Sequence, residues 1–472
     1  MEEPRWLFSR ASLLLFTLLL PLLYTLHFGT DYVAPFESFD QRKWKEQLTD
    51  RRGTTEADQG LGDQQHLDLL LGRLVRGEDL NHSKSTGLAC LSDSHTDVCI
   101  ATGQVAINAN TLKVYAPSGE PHNTQTKLTV RPYARKEDKF AMRFVRPFEL
   151  LEGRINSNTT TPPVCNYTHN VPALIFSSGG FTGNLFHEFN EIIIPLFITS
   201  RHFRSQVAFV VSDVKPWFIS KYNRILSHLS RYEVINTARN KSVHCFPGAV
   251  VGLHFHGNLA LNATGIPGGY SMADFKAFLS ESYGLKMERT NAGRHSSPPV
   301  LILISRQKTR VFLNEDEMVR MMEELGFRVI LALPHLMSNL DKFAKVVNTA
   351  SVLVGAHGAG LTNAVFLPAG AVLLQVVPLG LNWASTTYYG RPAPEMGLRY
   401  IEYKIKPEES SLLNLYNRDH PVISNPASVF SKGYLAARAV YVDGQNLNIS
   451  ASRFRETLMD VLKLLGRSTP LV

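Results

Sequence analysis

Two short stretches of this chain set imidazole and carboxylate groups beside glycine-rich turns. The first, Gly179 to Glu191, reads GGFTGNLFHEFNE. Gly179 and Gly180 follow an apolar run and permit a tight turn. Asn184 is a good helix N-cap residue, so a helix is expected from there to about Arg201. Leu185, Phe189, Ile192 and Leu196 then form its apolar face. His187 and Glu191 are four residues apart, and Glu188 and Glu191 three, so these groups meet on the other side. A His or Glu near a helix start can take a proton from a substrate hydroxyl. The positive end of a helix disfavours an imidazolium and favours a carboxylate, which keeps both His187 and Glu188 as candidate bases. Adjacent helical residues point about 100° apart, so one of them faces a given hydroxyl. His187 is preferred, because Glu191 can orient its ring. The plain structural alternative is a cap-region histidine with two solvated carboxylates. The stretch is not H-E-x-x-H, and no third metal ligand is nominated.

The second stretch is Ser351–Pro378, SVLVGAHGAGLTNAVFLPAGAVLLQVVP. An apolar run, Ser351–Val354, reads as a buried parallel strand. It enters a turn containing Gly355, His357, Gly358 and Gly360, and a short helix over Leu361–Leu367 follows, stopped by Pro368 and Gly370. Such turns at the carboxyl ends of parallel strands bind phosphorylated ligands. His357 could donate to a phosphate or a sugar hydroxyl, and Asn363 follows in the first helical turn. The glycine spacing is not that of a dinucleotide fingerprint. Upstream, Ser305–Arg310 lies at the end of another strand, Val300–Ile304, where Arg306 or Arg310 can grip a diphosphate bidentately. Trp383–Tyr389 with Glu395 is a weaker group, able to hold a sugar or base but as often a packed subdomain.

These groups need a scaffold of alternating strands and helices. Strands are expected at Pro172–Phe176, Val207–Val211, Val234–Ile235 and Ala249–Leu253, with a helix at Pro216–Leu229. After the linker Asn291–Pro299 a second unit begins. It has strands at Val300–Ile304 and Phe327–Leu331, a helix over Ser338–Thr349, and a capping box at Asn314 and Glu317. Gly326 is the expected residue after that helix. Alternation implies parallel sheets with helices on both faces. The fold class is α/β, two Rossmann-type domains facing a cleft, with a closing helix at Ser452–Leu465. Cys90–Glu152 alternates apolar and polar residues and reads as further strands.

Composition places the chain in a compartment. Its 472 residues allow two or three domains. The net charge of +8 is spread along the chain, without a long basic block, so no nucleic-acid partner is expected. Residues 11–28 carry no charge and are about long enough to cross a bilayer. Arg5 and Arg10 precede them and Asp31 and Glu37 follow, which orients the N-terminus to the cytosol. The expected organisation is a cytosolic tail (1–10), a signal anchor (11–28), a polar stem (29–87) with a helix at Gln65–Arg76, an acceptor-side domain (88–290) and a donor-side domain (298–472). N-x-S/T sequons at Asn81, Asn158, Asn166, Asn240, Asn262 and Asn448 point to the secretory lumen. Four cysteines there make two disulfides. Of three pairings, Cys90–Cys99 with Cys165–Cys245 is favoured.

Together the stretches resemble plant glycosyltransferase family 61. The resemblance rests on T-D-V-C at Thr96–Cys99, R-P-Y-A-R-K at Arg131–Lys136, VPALIFSSGGFTGNLFHEF at Val171–Phe189, KPWF at Lys215–Phe218, HCFPGAVVGL at His244–Leu253 and VGAHGAGLTNAVFLP at Val354–Pro368. His95 stands where many members carry Arg. The resemblance implies a GT-B-like, inverting, metal-independent Golgi transferase without a cofactor. It would take a UDP-sugar and a polysaccharide or glycan acceptor, at the Golgi membrane and in the company of other Golgi glycosyltransferases. The chain looks most like the branch that adds arabinofuranose or xylose to xylan. Other branches add xylose to N-glycan cores or GlcNAc to proteins. A catalytically silent glycan-binding or scaffold subunit is the alternative of another class. In this picture His357, the adjacent glycines, Asn363, Arg306 and Arg310 hold the donor. Gly179, Gly180 and Asn184 shape the acceptor-side loop, and His187 or Glu188 is the base.

Overall fold

The computed structural model describes residues 63–75, 86–116, 126–152, 162–286 and 297–467. The expected anchor at 11–28, most of the stem, the sequons Asn81 and Asn158, and most of the linker lie outside them. Among the described residues no helix is long and apolar enough to cross a membrane.

The first sheet is built from β1 (Leu88–Ser92), β2 (Asp97–Asn108), β3 (Lys113–Ala116), β4 (Thr126–Val130), β5 (Phe148–Glu152), β6 (Tyr167–Thr168), β7 (Ala173–Ser177), β8 (Ala208–Ser212), β9 (Ile235–Asn236) and β10 (Val243–Val251). Its order is β4-β5-β3-β2-β10-β7-β8-β9, with β1 on β2 and β6 on β10. The sheet is mixed, not parallel as alternation implied. β7, β8 and β9 are parallel, whereas β10 and β3 both run antiparallel to β2. The cause is local: β2 and β3 are joined by a turn too short for a crossover helix, which forces antiparallel pairing. Both expected disulfides are present. Cys90–Cys99 joins directly paired residues of β1 and β2, and Cys165–Cys245 ties the segment before β6 to β10.

The second sheet, β11 (Val300–Ile304), β12 (Arg328–Ala332), β13 (Val352–Ala356), β14 (Val372–Val377) and β15 (Arg399–Lys404), is parallel throughout, in the order β12-β11-β13-β14-β15. β11 is buried along its whole length. Its alternation divides two cores: Ile302 and Ile304 face one, Leu301 and Leu303 the other.

Among the helices, α1 is Asp63–Gly72. α2 starts at Leu185–Glu188, passes a π-helical turn at Phe189–Ile193 and ends at Ile194–Ser200. α3 is Pro216–Leu229, α4 Met272–Tyr283, α5 Glu315–Glu324, α6 Leu340–Asn348 and α7 Ala451–Leu464. α7 closes the second sheet, packing Phe454, Leu458 and Val461 into the core that holds Met318 and Met322 of α5. The other core is shared between the halves. It runs from Phe176 and Phe209 through Phe189, Phe197 and Phe278 to Ile304, Phe343 and Phe366. The two sheets, expected as domains at 88–290 and 298–472, therefore meet over continuous packing.

Two local expectations meet different outcomes. Asn314 makes no capping bond to α5; its amide pairs with both backbone groups of Ile449, docking the segment before α7. Gly326 does follow α5 with φ of 85°, a left-handed conformation suited to glycine.

Candidate active site

α2 begins as its sequence dictates: the Asn184 side chain accepts from Phe186 N at 3.0 Å. The π-helical turn follows because Pro195 has no N–H to return to Glu191 O, and Ile194 N reaches Phe189 O, five residues back. Here His187 Nδ1 donates to Glu191 Oε1 at 2.6 Å. His187 Nε2 is left as the accepting nitrogen, with no bonding partner among the described residues. Glu191 is fully buried and takes two more donors: Arg135 Nη1 at 2.8 Å on Oε1 and the Tyr133 hydroxyl on Oε2. Burial and the Glu191 charge push the Tyr133 phenol well up, so it stays a donor. Burial pulls Arg135 down, but Glu191 together with Tyr388, Glu137 and Asp138 outweighs this and holds it above its ordinary value.

Glu188, the other candidate base, is held in a different way. Its Oε1 accepts from Gly183 N at 2.9 Å, while Oε2 takes Lys221 Nζ at 2.5 Å and the Tyr222 hydroxyl. Both oxygens are engaged and buried, so Glu188 fastens α3 to the turn before α2. Gly179 and Gly180 are likewise explained by the protein itself. A Cβ at Gly179 would collide with the carbonyl of Phe144, and one at Gly180 with the Tyr133 ring. These glycines let the 133–144 segment close onto α2. Asn184 is exposed at the start of α2, beside this turn.

The second cluster lies at the carboxyl ends of β11 and β13. Tyr400 donates to Gln375 Oε1 at 2.9 Å, so the Gln375 amide nitrogen donates to His357 Nδ1 at 2.8 Å. The remaining His357 proton is on Nε2, a donor with no bonding partner among the described residues. Burial, with Arg310 and Arg306 adding to it, lowers the His357 pKa to about 3, and the ring is neutral. Arg310 Nη1 donates to His357 O at 2.6 Å, and its Nε is buried without a partner. Arg306 Nε donates to Thr309 O at 2.7 Å, and a Cβ on Gly358 would sit 2.6 Å from its Nη1. Among the described residues neither guanidinium pairs with a carboxylate. Burial lowers both, Arg310 to about 10 with Arg306 contributing. Arg310 also has φ of 54°, a left-handed conformation that costs about 1–2 kcal/mol for a side chain with Cβ. Two close, underpaired cations, a neutral imidazole donor and strained backbone form a cluster whose chemistry could hold a diphosphate. Three other expected residues make contacts within the chain. Gly355 and Gly360 leave room for Ile304, and buried Asn363 holds the turn by donating to Gly360 O at 2.8 Å.

Tyr388 links the two clusters. Its ring centroid is 4.9 Å from Phe186, beside His187, and 6.2 Å from His357 in a stacked arrangement. It sits in a second π-helical turn, Thr386–Gly390, whose Tyr389 hydroxyl donates to Gly358 O at 2.9 Å. Trp383 is exposed at this rim, 5.7 Å from Tyr388 between centroids, and Glu395 is exposed. A hollow of about 500 Å³ beside α4, lined by Phe197, Arg201, Tyr270 and Asp274, lies apart from these groups.

The arrangement can thus take a proton at one end and neutralise a departing diphosphate at the other. In comparison with known proteins, residues 27–374 match the model of the family described as Glycosyltransferase 61.

The chain belongs to glycosyltransferase family 61.

An alpha-1,3-arabinosyltransferase of Oryza sativa subsp. japonica is 38% identical over 402 residues, 82% of this chain and 69% of the relative. A xylan glycosyltransferase of Arabidopsis thaliana is 34% identical over 380 residues, 77% of each. A beta-1,2-xylosyltransferase of Oryza sativa subsp. japonica is 36% identical over 393 residues, 79% of this chain and 83% of the relative. Membership makes this family 61 chain a glycosyltransferase, with a sugar donor and a glycan acceptor. Tyr133, Arg135, Lys221 and Gln375 were not singled out from sequence, and Tyr388 entered only within the Trp383–Tyr389 group. Tyr133 and Arg135 lie in the R-P-Y-A-R-K stretch, where only the family resemblance drew attention to them.

Proposed function

We propose that this family 61 enzyme transfers a pentose, arabinofuranose or xylose, from a UDP-sugar to xylan with inversion. The observation that carries the reading is the pairing, across Tyr388, of the His187–Glu191 dyad with two guanidinia that lack carboxylate partners. In this reading His187 Nε2 takes the proton of an acceptor hydroxyl. The hydroxyl oxygen forms its bond to the anomeric carbon as the bond from that carbon to the diphosphate oxygen breaks. The electron pair leaves with UDP, whose charge falls on Arg306, Arg310 and the Nε2–H of His357. Glu191 orients the imidazole and stabilises the proton it receives. Because its oxygens are held by Tyr133, Arg135 and His187, Glu191 is not free to attack the sugar, which favours a single, inverting displacement. The first half holds the acceptor and the second the donor. The pentose and the xylan acceptor are supported by similarity to the rice and Arabidopsis transferases.

The uncharged stretch at 11–28, the basic residues before it and the sequons support a type II anchor in the Golgi membrane. Of the sequons within the described residues, Asn166, Asn262 and Asn448 are exposed and Asn240 is partly so. A screen of UDP-pentoses and UDP-GlcNAc against xylo-oligosaccharides, with linkage and anomeric analysis of products, tests the assignment. Pentose transfer with inverted configuration is expected. Transfer of GlcNAc alone, or retained configuration, would overturn it.

A further inference from the structure

Three phenylalanines lead away from the base. Phe140 and Phe144 are 57% and 51% exposed, which is unusual for phenyl rings held on an ordered segment. Their centroids are 5.5 Å apart. Phe140 stacks on Phe181 at 6.0 Å with 23° between planes, and Phe181 lies 4.6 Å from the His187 ring. The row ends at the imidazole.

The row is also fixed to the catalytic dyad. Arg135 bonds Glu191 through Nη1 and reaches Asp138 Oδ2 through Nε at 3.4 Å. Asp138 Oδ1 in turn accepts from Phe140 N and Ala141 N, each at 3.0 Å. The Tyr133 hydroxyl, which donates to Glu191, accepts from Phe181 N at 3.1 Å. Gly179 seats the Phe144 backbone against the turn before α2. One guanidinium and one phenol therefore hold both the carboxylate behind His187 and the segments carrying the rings.

We propose that Phe181, Phe140 and Phe144 form an acceptor track on which successive rings of a linear, neutral, β-linked oligosaccharide stack, delivering a hydroxyl to His187. This rests on the reading of the site as a glycan transferase centre. A β-linked pyranose ring with equatorial substituents presents C–H groups on its faces and hydroxyls at its edges. Its faces gain dispersion and weak C–H contacts with a phenyl ring while its edges remain in water. Phenyl rings offer no hydrogen-bonding groups and no charge, so they suit a neutral ribbon better than an anionic glycan or a polar peptide.

The test compares the full wild-type chain with a Phe140→Ala/Phe144→Ala double variant, using a pentose donor with xylobiose and xylohexaose. Binding of UDP and thermal unfolding certify that the variant is folded. KM for xylohexaose is expected to rise roughly tenfold in the variant, the loss falling on KM rather than kcat and shrinking for xylobiose. Phe140→Trp should keep the wild-type preference for the longer acceptor. Equal KM for xylohexaose in both chains would overturn the track and leave the xylan reading standing. If the wild type instead uses another linear β-linked glycan, loss of its length preference in the variant supports the track while the xylan reading falls. A wild-type chain with no preference for longer acceptors of any kind overturns the track.

Discussion

Phe186 on α2 and Tyr388 in the second half meet with ring centroids 4.9 Å apart, one residue from His187 on one side and stacked over His357 on the other. The contact sets the spacing between the His187–Glu191 dyad and the His357 cluster. Burial holds the Tyr388 hydroxyl above its ordinary value, opposed by Arg135, so the phenol is neutral. Tyr388→Phe, which keeps the ring, should retain most transfer. Tyr388→Ala should lower kcat/KM by about 10²-fold, as expected when reacting groups lose alignment. Steady-state kinetics of the two variants decide; equal losses would show that the hydroxyl matters more than the ring.

The donor site has a defined pH behaviour. His357 titrates near 3, so it remains a neutral donor throughout pH 5–8 and contributes no change in donor affinity there. Burial lowers Arg310 only to about 10, so it too stays a cation throughout pH 5–8. Affinity for an intact UDP-sugar should therefore be flat from pH 5 to 8. Arg310→Lys should weaken it about tenfold or more, because an ammonium cannot reproduce the fork. Titration calorimetry across pH checks both; a midpoint near pH 6–7 would assign the binding to another group.

Glu188→Gln should act on stability. It leaves Lys221 beside a neutral amide and costs about 1.5–3 kcal/mol, the usual value of a hydrogen bond to a charged group. Thermal unfolding should shift downward while the folded protein keeps its UDP affinity. An unchanged transition temperature with abolished transfer would return Glu188 to the chemistry.

Much of the scaffold was legible in the sequence because its signals are local. Val300–Ile304 is an unbroken apolar run, and Pro216–Leu229 carries Pro at its first turn; both elements have the expected bounds. The mixed pairing of the first sheet was not legible, since strand direction depends on partners distant in sequence. At the site, the i,i+4 spacing of His187 and Glu191 gave their contact directly. Glu188 could not be read the same way: Lys221 and Tyr222, which bury it, come from another helix. Gly179 and Gly180 signalled close approach, but sequence does not say whether a ligand or the Tyr133 ring makes it.

Acid should destabilise the fold through a group far from the site. His202 Nε2 donates to Leu70 O at 3.2 Å, and burial lowers its pKa from 6.5 to about 3. The unfolded chain binds this proton below 6.5 and the folded chain only near 3. The stability contributed is therefore complete above pH 6.5 and is lost as the pH falls toward 3, by a few kcal/mol. His202→Gln should flatten the decline of unfolding free energy over that window. An identical slope in the variant would place the acid sensitivity elsewhere.

The central claim is that His187, oriented by Glu191, removes the acceptor proton. It is tested most directly by measuring transfer and UDP binding side by side in wild type and His187→Ala. Turnover should fall by about 10²–10⁴-fold, the usual share of general-base catalysis, with UDP affinity near that of the wild type. A folded His187→Ala variant that keeps most of its turnover would contradict the account.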